Sequence, residues 1–525
     1  MREDLPIEDA AYGAGRRQKA VREHPRSATA RYALGVALVR EGREDDAAAA
    51  FREASILRPG WAEAHNALGA ALCRLGRHDE GIDALSVAAR LRDDFVLPRF
   101  NLGMAFALCG RYAEAADAFR RAAAMSPRLV ESHRNLAVTL DLLGRHREAA
   151  DAWRDATRLD PARPGPHTRL GWALCRIGKH REAAGAFRDA VQADPGCREA
   201  LGGLGWACAE IGDLEEAAAA FRKEAEVSPG ERRPLYNLGT VLGMLGRHEE
   251  AVERLEEAVT LSPGHAESRY NLGVCLFRLH RHGAAVAAFR EALRIRPAYV
   301  KGWYNLGVAL FETGRHEEGA GAFREVVRRE PGHARAHFNL GSVFLALGRE
   351  RQAVMAFREA GHHDPEHAPS LFSLGILLLR RGSDEAAADA FRGAAQARPG
   401  YARAHNSLGV ALFRMSRTTE AAEEFREATR IFPSYVGAHF NLGLCLLRPE
   451  DREGASRQLT VLSFLDPSLA QRYAALLPAA GRRDLRCGSR VPCPARGALT
   501  PRCNPGPWRG NRRPRGRRTP SCSRT

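Results

Sequence analysis

A Leu-Gly pair recurs along this chain at a fixed interval of 34 residues, and this period constrains the fold more than any other feature. The glycines run from Gly35 to Gly443, and Ala137 takes the one position that glycine leaves. If this small residue is numbered slot 8, thirteen repeats follow one another from Ala28 to Leu469 without insertion or deletion. Such a period is typical of a protein in which each repeat stacks on its neighbours.

Each repeat has the pattern of two helices joined by a short turn. Slot 7 is always Leu and slot 11 is Leu, Phe or once Cys208, which predicts a first helix, helix A, over slots 1 to 14. Slot 15 is Gly in ten repeats, as expected just after a helix, and His280, Ser416 and Glu450 replace it elsewhere. Slots 20, 24 and 27 hold small, large and small residues on one face of a second helix, helix B, which Pro at slot 32 ends.

These slots are those of the tetratricopeptide repeat, a 34-residue helix-turn-helix unit, which the chain resembles over residues 28–469. The segment Trp303 to Gly307, with Gly314, Phe323 and Pro331 in phase, is similar to the family consensus. The resemblance implies an all-α fold, a right-handed superhelical solenoid. We expect an N-terminal capping helix within residues 1–27, thirteen tandem repeats over 28–469, a C-terminal capping helix within 470–480 and a disordered tail over 481–525.

Positive charge is concentrated in that tail. Of the formal net charge of +16, residues 481–525 contribute thirteen Arg against the single acid Asp484, so the repeats are nearly neutral. The tail is also rich in Pro and Gly and poor in aliphatic residues, a composition that predicts disorder. Two interpretations stay open: a basic arm for nucleic acid around Trp508, or a solvated extension without a partner.

Nothing in the sequence indicates catalysis. The residues outside the repeats are too few for a separate catalytic domain, and nucleophile or phosphate-loop motifs are absent. Most histidines occupy slots 4 and 17, while His362, His363 and His367 have only weak metal-like spacing, so we predict no cofactor and no metal. No apolar run approaches the roughly 18 residues needed to cross a bilayer, and no signal peptide is evident. We expect a cytoplasmic, non-enzymatic protein without a membrane partner.

In the tetratricopeptide family, slots 2, 5, 6, 9, 12 and 13 tend to face a concave groove, and the resemblance implies that this groove binds extended peptide segments of other proteins. The Asn row at slot 6 is similar to the asparagine ladder of O-linked N-acetylglucosamine transferases, whose catalytic domain has no counterpart after these repeats. The predicted groove residues are Asn at slot 6, aromatic residues at slot 5 and Trp at slot 9: Asn101, Asn135, Asn237, Asn271, Asn305, Asn339 and Asn441; Tyr236, Tyr270, Tyr304 and Phe338; Trp172 and Trp206.

Each group has a structural alternative. The amides either hydrogen-bond a peptide backbone or stabilise their own repeat. The slot 5 aromatics either anchor a ligand or fill the core. Trp172 and Trp206 lie in the two repeats where slot 6 becomes Arg169 and Gly203, which indicates a distinct sub-site for a bulky side chain. Arg at slot 13 in seven repeats predicts a mildly basic groove edge.

The sequence therefore favours a non-catalytic scaffold for protein–protein interaction. Two alternatives come from other classes of protein: an RNA-associated helical-repeat protein that uses the basic tail, and a targeting subunit of a separately encoded enzyme such as a glycosyltransferase. Chaperone-tail binding is disfavoured, because no repeat has Lys at slot 5 or Asn at slot 9.

Overall fold

The computed structural model describes residues 13–447 and 451–476, which form 28 α-helices and no strand. The expected all-α fold is confirmed. The predicted tail over 481–525 lies outside the described residues, as do Arg448 and Glu450. The chain divides into two compact units, Met1–Val241 and Leu242–Thr525, and each is a stack of helix pairs.

Helices of the first compact unit alternate between A and B after a single leading helix, α1. Their bounds are α1 Ala14–Glu23, α2 Ala28–Arg40, α3 Glu44–Leu57, α4 Ala62–Arg74, α5 His78–Leu91, α6 Val96–Leu108, α7 Tyr112–Met125, α8 Val130–Leu142, α9 His146–Leu159, α10 Pro164–Arg176, α11 His180–Ala193, α12 Arg198–Ile211 and α13 Leu214–Val227. The next helix, α14, spans Arg232–Met244 and contains the division between the two compact units.

The second compact unit continues the alternation and ends in a short helix. Its bounds are α15 His248–Leu261, α16 Ala266–Arg278, α17 His282–Ile295, α18 Val300–Glu312, α19 His316–Arg329, α20 Ala334–Ala346, α21 Glu350–His363, α22 Ala368–Arg380, α23 Asp384–Ala397, α24 Ala402–Arg414, α25 Thr418–Ile431, α26 Val436–Cys445, α27 Arg452–Leu465 and α28 Pro467–Ala474. None of the helices in the described residues is both long and apolar enough to cross a membrane.

Helix A ends where slot 15 adopts a left-handed conformation. At Gly314 the φ angle is 74°, and the next amide, Arg315 N, donates to Leu310 O at 2.9 Å. Glycine suits this conformation because it has no Cβ to clash with the backbone. His280 and Ser416 adopt the same conformation with φ of 57° and 63°, although both carry side chains. The turn geometry is therefore kept even where glycine is replaced.

The two helices of a repeat pack closely through slots 8 and 24. A Cβ placed on Gly307 would lie 2.8 Å from Phe323 Cε1, so only glycine allows the buried ring to approach this closely. The last repeat has Leu459 at slot 24, and Tyr473 of α28 lies over Gly443 instead. In the sixth repeat, Glu224 replaces the slot 27 Ala and lies beside Gly202.

One hydrogen bond joins successive repeats at slots 4 and 32, and we call it the inter-repeat joint. Six slot 4 histidines donate from Nε2 to the carbonyl oxygen of the preceding repeat's slot 32 proline, over 2.8 to 3.3 Å. Trp303 Nε1 donates to Pro297 O in the same way at 2.8 Å. The His–Pro pairs are His65–Pro59, His133–Pro127, His167–Pro161, His337–Pro331, His405–Pro399 and His439–Pro433. These histidines therefore have a structural partner.

Candidate functional site

The slot 6 asparagines form hydrogen bonds between repeats. In four cases the Nδ2 amide donates to the slot 5 side chain of the preceding repeat, which is Tyr or Asn. The bond therefore crosses from one repeat to the next, whereas the sequence alternative was a bond within one repeat. The four pairs are Asn101 to Asn66 Oδ1 at 2.9 Å, Asn305 to Tyr270 Oη at 2.8 Å, Asn339 to Tyr304 Oη at 3.0 Å and Asn441 to Asn406 Oδ1 at 3.1 Å.

Burial separates the asparagines into two groups. Asn271, Asn339 and Asn441 are buried between helices, where a peptide cannot reach their amides. Asn101 and Asn305 are half-buried and already donate to a neighbouring repeat.

Asn135 and Asn237 differ from the other asparagines because the preceding slot 5 offers no acceptor. That slot holds Phe100 before Asn135 and Gly202 before Asn237. Both asparagines are half-buried, and Asn135 Nδ2 has only the weak acceptor Met104 Sδ at 3.4 Å. Their amides therefore lack the slot 5 acceptor that the four pairs above have.

The slot 5 aromatics lie mainly in the core. Tyr304 and Phe338 are buried, and the Tyr304 ring packs edge-on against Phe323 with 5.8 Å between the ring centroids. Burial raises the pKa of the Tyr270 hydroxyl to about 12. Tyr236 is half-buried, with the Arg232 guanidinium 6.0 Å from its ring centroid. These contacts favour the space-filling interpretation over ligand anchoring.

Trp172 and Trp206 are brought together, with 6.3 Å between their ring centroids. Trp172 is half-buried and packs edge-on against Phe187 at 5.2 Å. Trp206 is 39% exposed, and the His180 ring packs edge-on against it at 5.2 Å. The two slot 9 tryptophans of adjacent repeats thus form one aromatic surface on α10 and α12.

This aromatic surface extends into a longer row that the sequence analysis missed. Apolar side chains at slots 2, 9 and 13 of α6 and α8 are exposed, whereas slot 9 residues of the second compact unit such as Val308 and Ile376 are buried. The sequence signal for this row is that these slots tend to face the groove in the resembled family, although apolar residues there also fit core packing. The apolar row consists of Leu97, Met104, Leu108, Val138 and Leu142, exposed by 51, 40, 62, 45 and 61%, together with Trp172 and Trp206.

The family assignment rests on the sequence of the repeats. The tetratricopeptide repeat models match residues 232–298 and also 10–61, 45–94, 100–164, 168–232, 304–361, 348–402, 385–436 and 406–455. The chain belongs to the tetratricopeptide repeat family. Repeats of this family commonly mediate protein–protein interaction. The similarity to O-linked N-acetylglucosamine transferases stays a prediction.

Three solved structures similar to this tetratricopeptide repeat protein each cover less than half of it. A crystal structure of the MamA protein is 26% identical, with a TM-score of 0.31, over 32% of this chain and 91% of that one. YrrB, a TPR protein described as having an unusual peptide-binding site, is 22% identical, with a TM-score of 0.33, over 36% and 97%. A tetratricopeptide repeat protein from Parabacteroides merdae is 17% identical, with a TM-score of 0.36, over 47% and 98%. No curated protein matches the chain.

Charge along the slot 13 edge of this tetratricopeptide repeat protein differs from the expectation. Three of the arginines there form ion pairs with a slot 17 acid of the preceding repeat, because a carboxylate at the start of helix B faces them. These pairs neutralise three of the seven arginines on which the predicted basic edge depends. The pairs are Arg74–Glu44 at 2.8 Å, Arg380–Glu350 at 3.1 Å and Arg414–Asp384 at 3.1 Å.

The two helices that carry the tryptophans have opposite charges. Slots 6 and 13 of α10 carry the exposed Arg169 and Arg176, and slots 2 and 13 of α12 carry the exposed Glu199 and Glu210. Within residues 13–447 and 451–476, no group of three His, Cys, Asp or Glu side chains is arranged to hold a metal ion.

Proposed function

We propose that this protein is a non-catalytic scaffold that binds extended segments of partner proteins along the apolar row of the first compact unit. One observation carries the proposal: four successive A helices, α6, α8, α10 and α12, carry exposed or, at Trp172, half-buried apolar side chains at the family's groove slots. Exposed apolar surface of this extent is characteristic of interaction sites, because covering it releases ordered water.

The spacing of the row suggests the form of the partner. Within the row α10 and α12 contact each other directly, and packed helices lie about 8–10 Å apart. An extended chain advances about 3.3 Å per residue, so roughly three residues span one repeat. We therefore infer a segment with an apolar side chain at every third position.

The amides of Asn135 and Asn237 complete this surface. Both lie at slot 6. Asn135 is on α8 with Val138 of the row, and Asn237 is on α14, the next A helix after that of Trp206. Each amide offers donors and an acceptor, which suits the backbone of an extended segment whatever its side chains. The Asn–Tyr pairs of the second compact unit have a structural role instead, because each hydrogen bond fixes one repeat against the next and so keeps the repeats in register.

The compartment belongs to the same proposal. The described cysteines are all free thiols, among them Cys109, which is exposed. Free thiols of this kind fit a reducing compartment, and we infer the cytoplasm.

A peptide selection with matched variants tests the proposal. Random peptides displayed on phage are selected against the wild-type protein, and recovered peptides are measured against a variant with Met104, Leu108, Val138 and Leu142 all changed to Gln. Because these side chains are exposed, we expect an unchanged thermal midpoint and at least tenfold weaker binding.

The control carries the same chemical change away from the row. Met355 and Leu261 are exposed on B helices, and changing both to Gln should leave peptide affinity unchanged. Equal loss of affinity in both variants, or none in the row variant, would refute the proposal.

A further inference from the structure

We propose that the α12 end of the apolar row binds a basic side chain, Lys or Arg, of the partner segment. This sub-site rests on the proposed function, because it specifies one residue of the segment that the row binds. It consists of Trp206, Glu199 and Glu210 on the surface of α12, with the carboxylate of Glu224 beneath. In this sub-site carboxylates of the protein would bind a cation of the ligand, whereas in a carboxylate clamp basic side chains of the protein bind a carboxylate of the ligand.

The surface residues of the sub-site share one face of α12. Glu199, Trp206 and Glu210 are separated by seven and four residues, which are spacings that return to the same side of a helix. Gly202 and Gly203 occupy the turn between Glu199 and Trp206, so no side chain there covers the indole. The exposed Trp206 ring therefore lies between two carboxylates along the helix. A cation near an aromatic face and flanked by acids is stabilised by both.

The two surface carboxylates are available to a ligand. Glu199 and Glu210 are exposed, and neither forms an ion pair within the described part of the chain. Neighbouring acids differ: Arg188 Nε lies 2.6 Å from Glu216 Oε1, and Arg198 binds Glu231. Most acids of this region already have an intramolecular partner, whereas the two beside Trp206 do not.

Glu224 adds a third carboxylate below the same face. Its side chain is fully buried, and its Oε1 lies 2.8 Å from the position of a Cβ on Gly202. Arg233 Nη2 donates to Oε1 at 2.9 Å, while Oε2 is buried with no hydrogen-bond partner among the described residues. Burial raises the pKa of the Glu224 carboxyl. A cation bound on α12 would lower the cost of keeping this group ionised.

The adjacent helix fixes where the basic side chain lies. Arg169 and Arg176 on α10 flank Trp172 and take part in no ion pair within the described residues, so they repel a cation from that ring. The sign of the charge therefore changes between neighbouring repeats. A basic residue of the segment is directed to α12, which sets the register of the segment along the row.

Three labelled peptides test the sub-site by fluorescence anisotropy. Each peptide contains Leu at three positions spaced by three residues. The variable residue, Lys, Met or Glu, follows the last Leu by three residues. In a second set of peptides the variable residue precedes the first Leu by three residues instead. In the favoured orientation we expect Lys to bind about tenfold more tightly than Glu, with Met in between. Because the charges are exposed, this preference should shrink as the salt concentration rises.

Variants then assign the preference to named groups. Trp206→Leu keeps an apolar side chain but removes the aromatic face, and the Glu199→Lys/Glu210→Lys double variant reverses the surface charge. Both should abolish the preference for Lys while retaining binding of the Met peptide. Glu226→Lys, an exposed position on α13, is the charge-matched control and should keep the preference. Circular dichroism checks that each variant is folded.

The outcomes separate the two proposals. Binding of the Leu peptides without any preference for Lys would overturn the sub-site and leave the apolar row intact. A preference for Lys that survives Glu199→Lys/Glu210→Lys would also overturn it. If none of the peptides binds the wild-type protein, both the row and the sub-site are wrong. Tighter binding of the Lys peptide that depends on Trp206, Glu199 and Glu210 supports the assignment.

Discussion

At the scale of single residues, the same amino acid at the same slot has different roles in different repeats. Asn339 is fully buried and donates to Tyr304 Oη, whereas Asn135 is half-buried and faces Phe100 of the preceding repeat. The difference comes from the slot 5 neighbour. A tyrosine or asparagine there fixes the amide between repeats, and a phenylalanine or glycine offers it no acceptor.

Replacing each of these asparagines with alanine tests that distinction. Asn339→Ala removes a buried hydrogen bond and leaves a small cavity, which should cost about 1–3 kcal/mol of stability. Asn135→Ala should change stability by less than about 0.5 kcal/mol, because no strong hydrogen bond is lost. Guanidinium midpoints followed by circular dichroism measure both. Equal shifts for the two variants would contradict the assigned roles.

Some residue roles follow from sequence because they depend on local sterics. The slot 15 glycines and the small residues opposite slot 24 are examples: the requirement at Gly314 or Gly307 is met within one repeat and recurs along the chain. The bond from Asn339 to Tyr304 could not be predicted in this way, since it depends on how one repeat registers against the previous one. Asparagine at slot 6 is compatible with either role until that neighbour is placed.

At the scale of helices, the ends of the A helices use histidine in a way that is sensitive to pH. His333 precedes α20, and its Nδ1 accepts a hydrogen bond from Ala336 N at 3.1 Å. A ring nitrogen can accept only while it is unprotonated. Burial lowers the pKa of His333, which is consistent with this capping role.

Acidification should therefore weaken α20 through His333. The unfolded chain takes up a proton first as the pH falls below about 6.5, so the contribution is complete above that pH and is lost as the pH falls through the folded pKa. His333→Asn provides a cap that does not titrate. We expect a smaller drop in thermal midpoint between pH 7.5 and 5.5 for His333→Asn than for the wild type, whereas His362→Asn, at an exposed position, should behave as the wild type does.

The helices also show why the sequence revealed only part of the site. Trp172 and Trp206 were identified because tryptophan is rare in this chain and occurs at slot 9 in adjacent repeats. Leu108 and Leu142 lie at slot 13, which tends to face the groove in the family, but leucine there also fits core packing, and their exposure on α6 and α8 decides between the two. Periodicity predicts which residues share a helix face, but the packing of neighbouring repeats decides whether that face is covered.

At the scale of the whole molecule, stability is expected to be local, because repeats contact mainly their neighbours. The C-terminal end is closed by Tyr473, which is fully buried against Gly443 and packs edge-on against Phe440. This ring takes the place of the slot 24 aromatic that the last repeat lacks. The terminal repeat thus depends on a residue outside the 34-residue pattern.

Removing the Tyr473 ring should destabilise the last helices, α26 to α28, and leave distant repeats unaffected. Tyr473→Ala should cost about 3–5 kcal/mol locally, as for other buried aromatic side chains. Hydrogen exchange should accelerate in α26 to α28 and stay unchanged in α2 to α5, because the loss is not transmitted along the stack. Phe464→Ala, which truncates an exposed ring on α27, should leave exchange unchanged. Faster exchange throughout the chain would show that the repeats unfold together.

The inter-repeat joint has a consequence for how such a gene can change in length. Excision of residues 402–435 would place His439 six residues after Pro399, the same separation as in the His405–Pro399 and His439–Pro433 bonds. The shortened chain would regain an equivalent connection from residues it already has. Excision of residues 334–367 would instead place Leu371, whose side chain has no hydrogen-bond donor, six residues after Pro331. In-frame loss of a repeat therefore keeps this hydrogen bond at some boundaries and removes it at others.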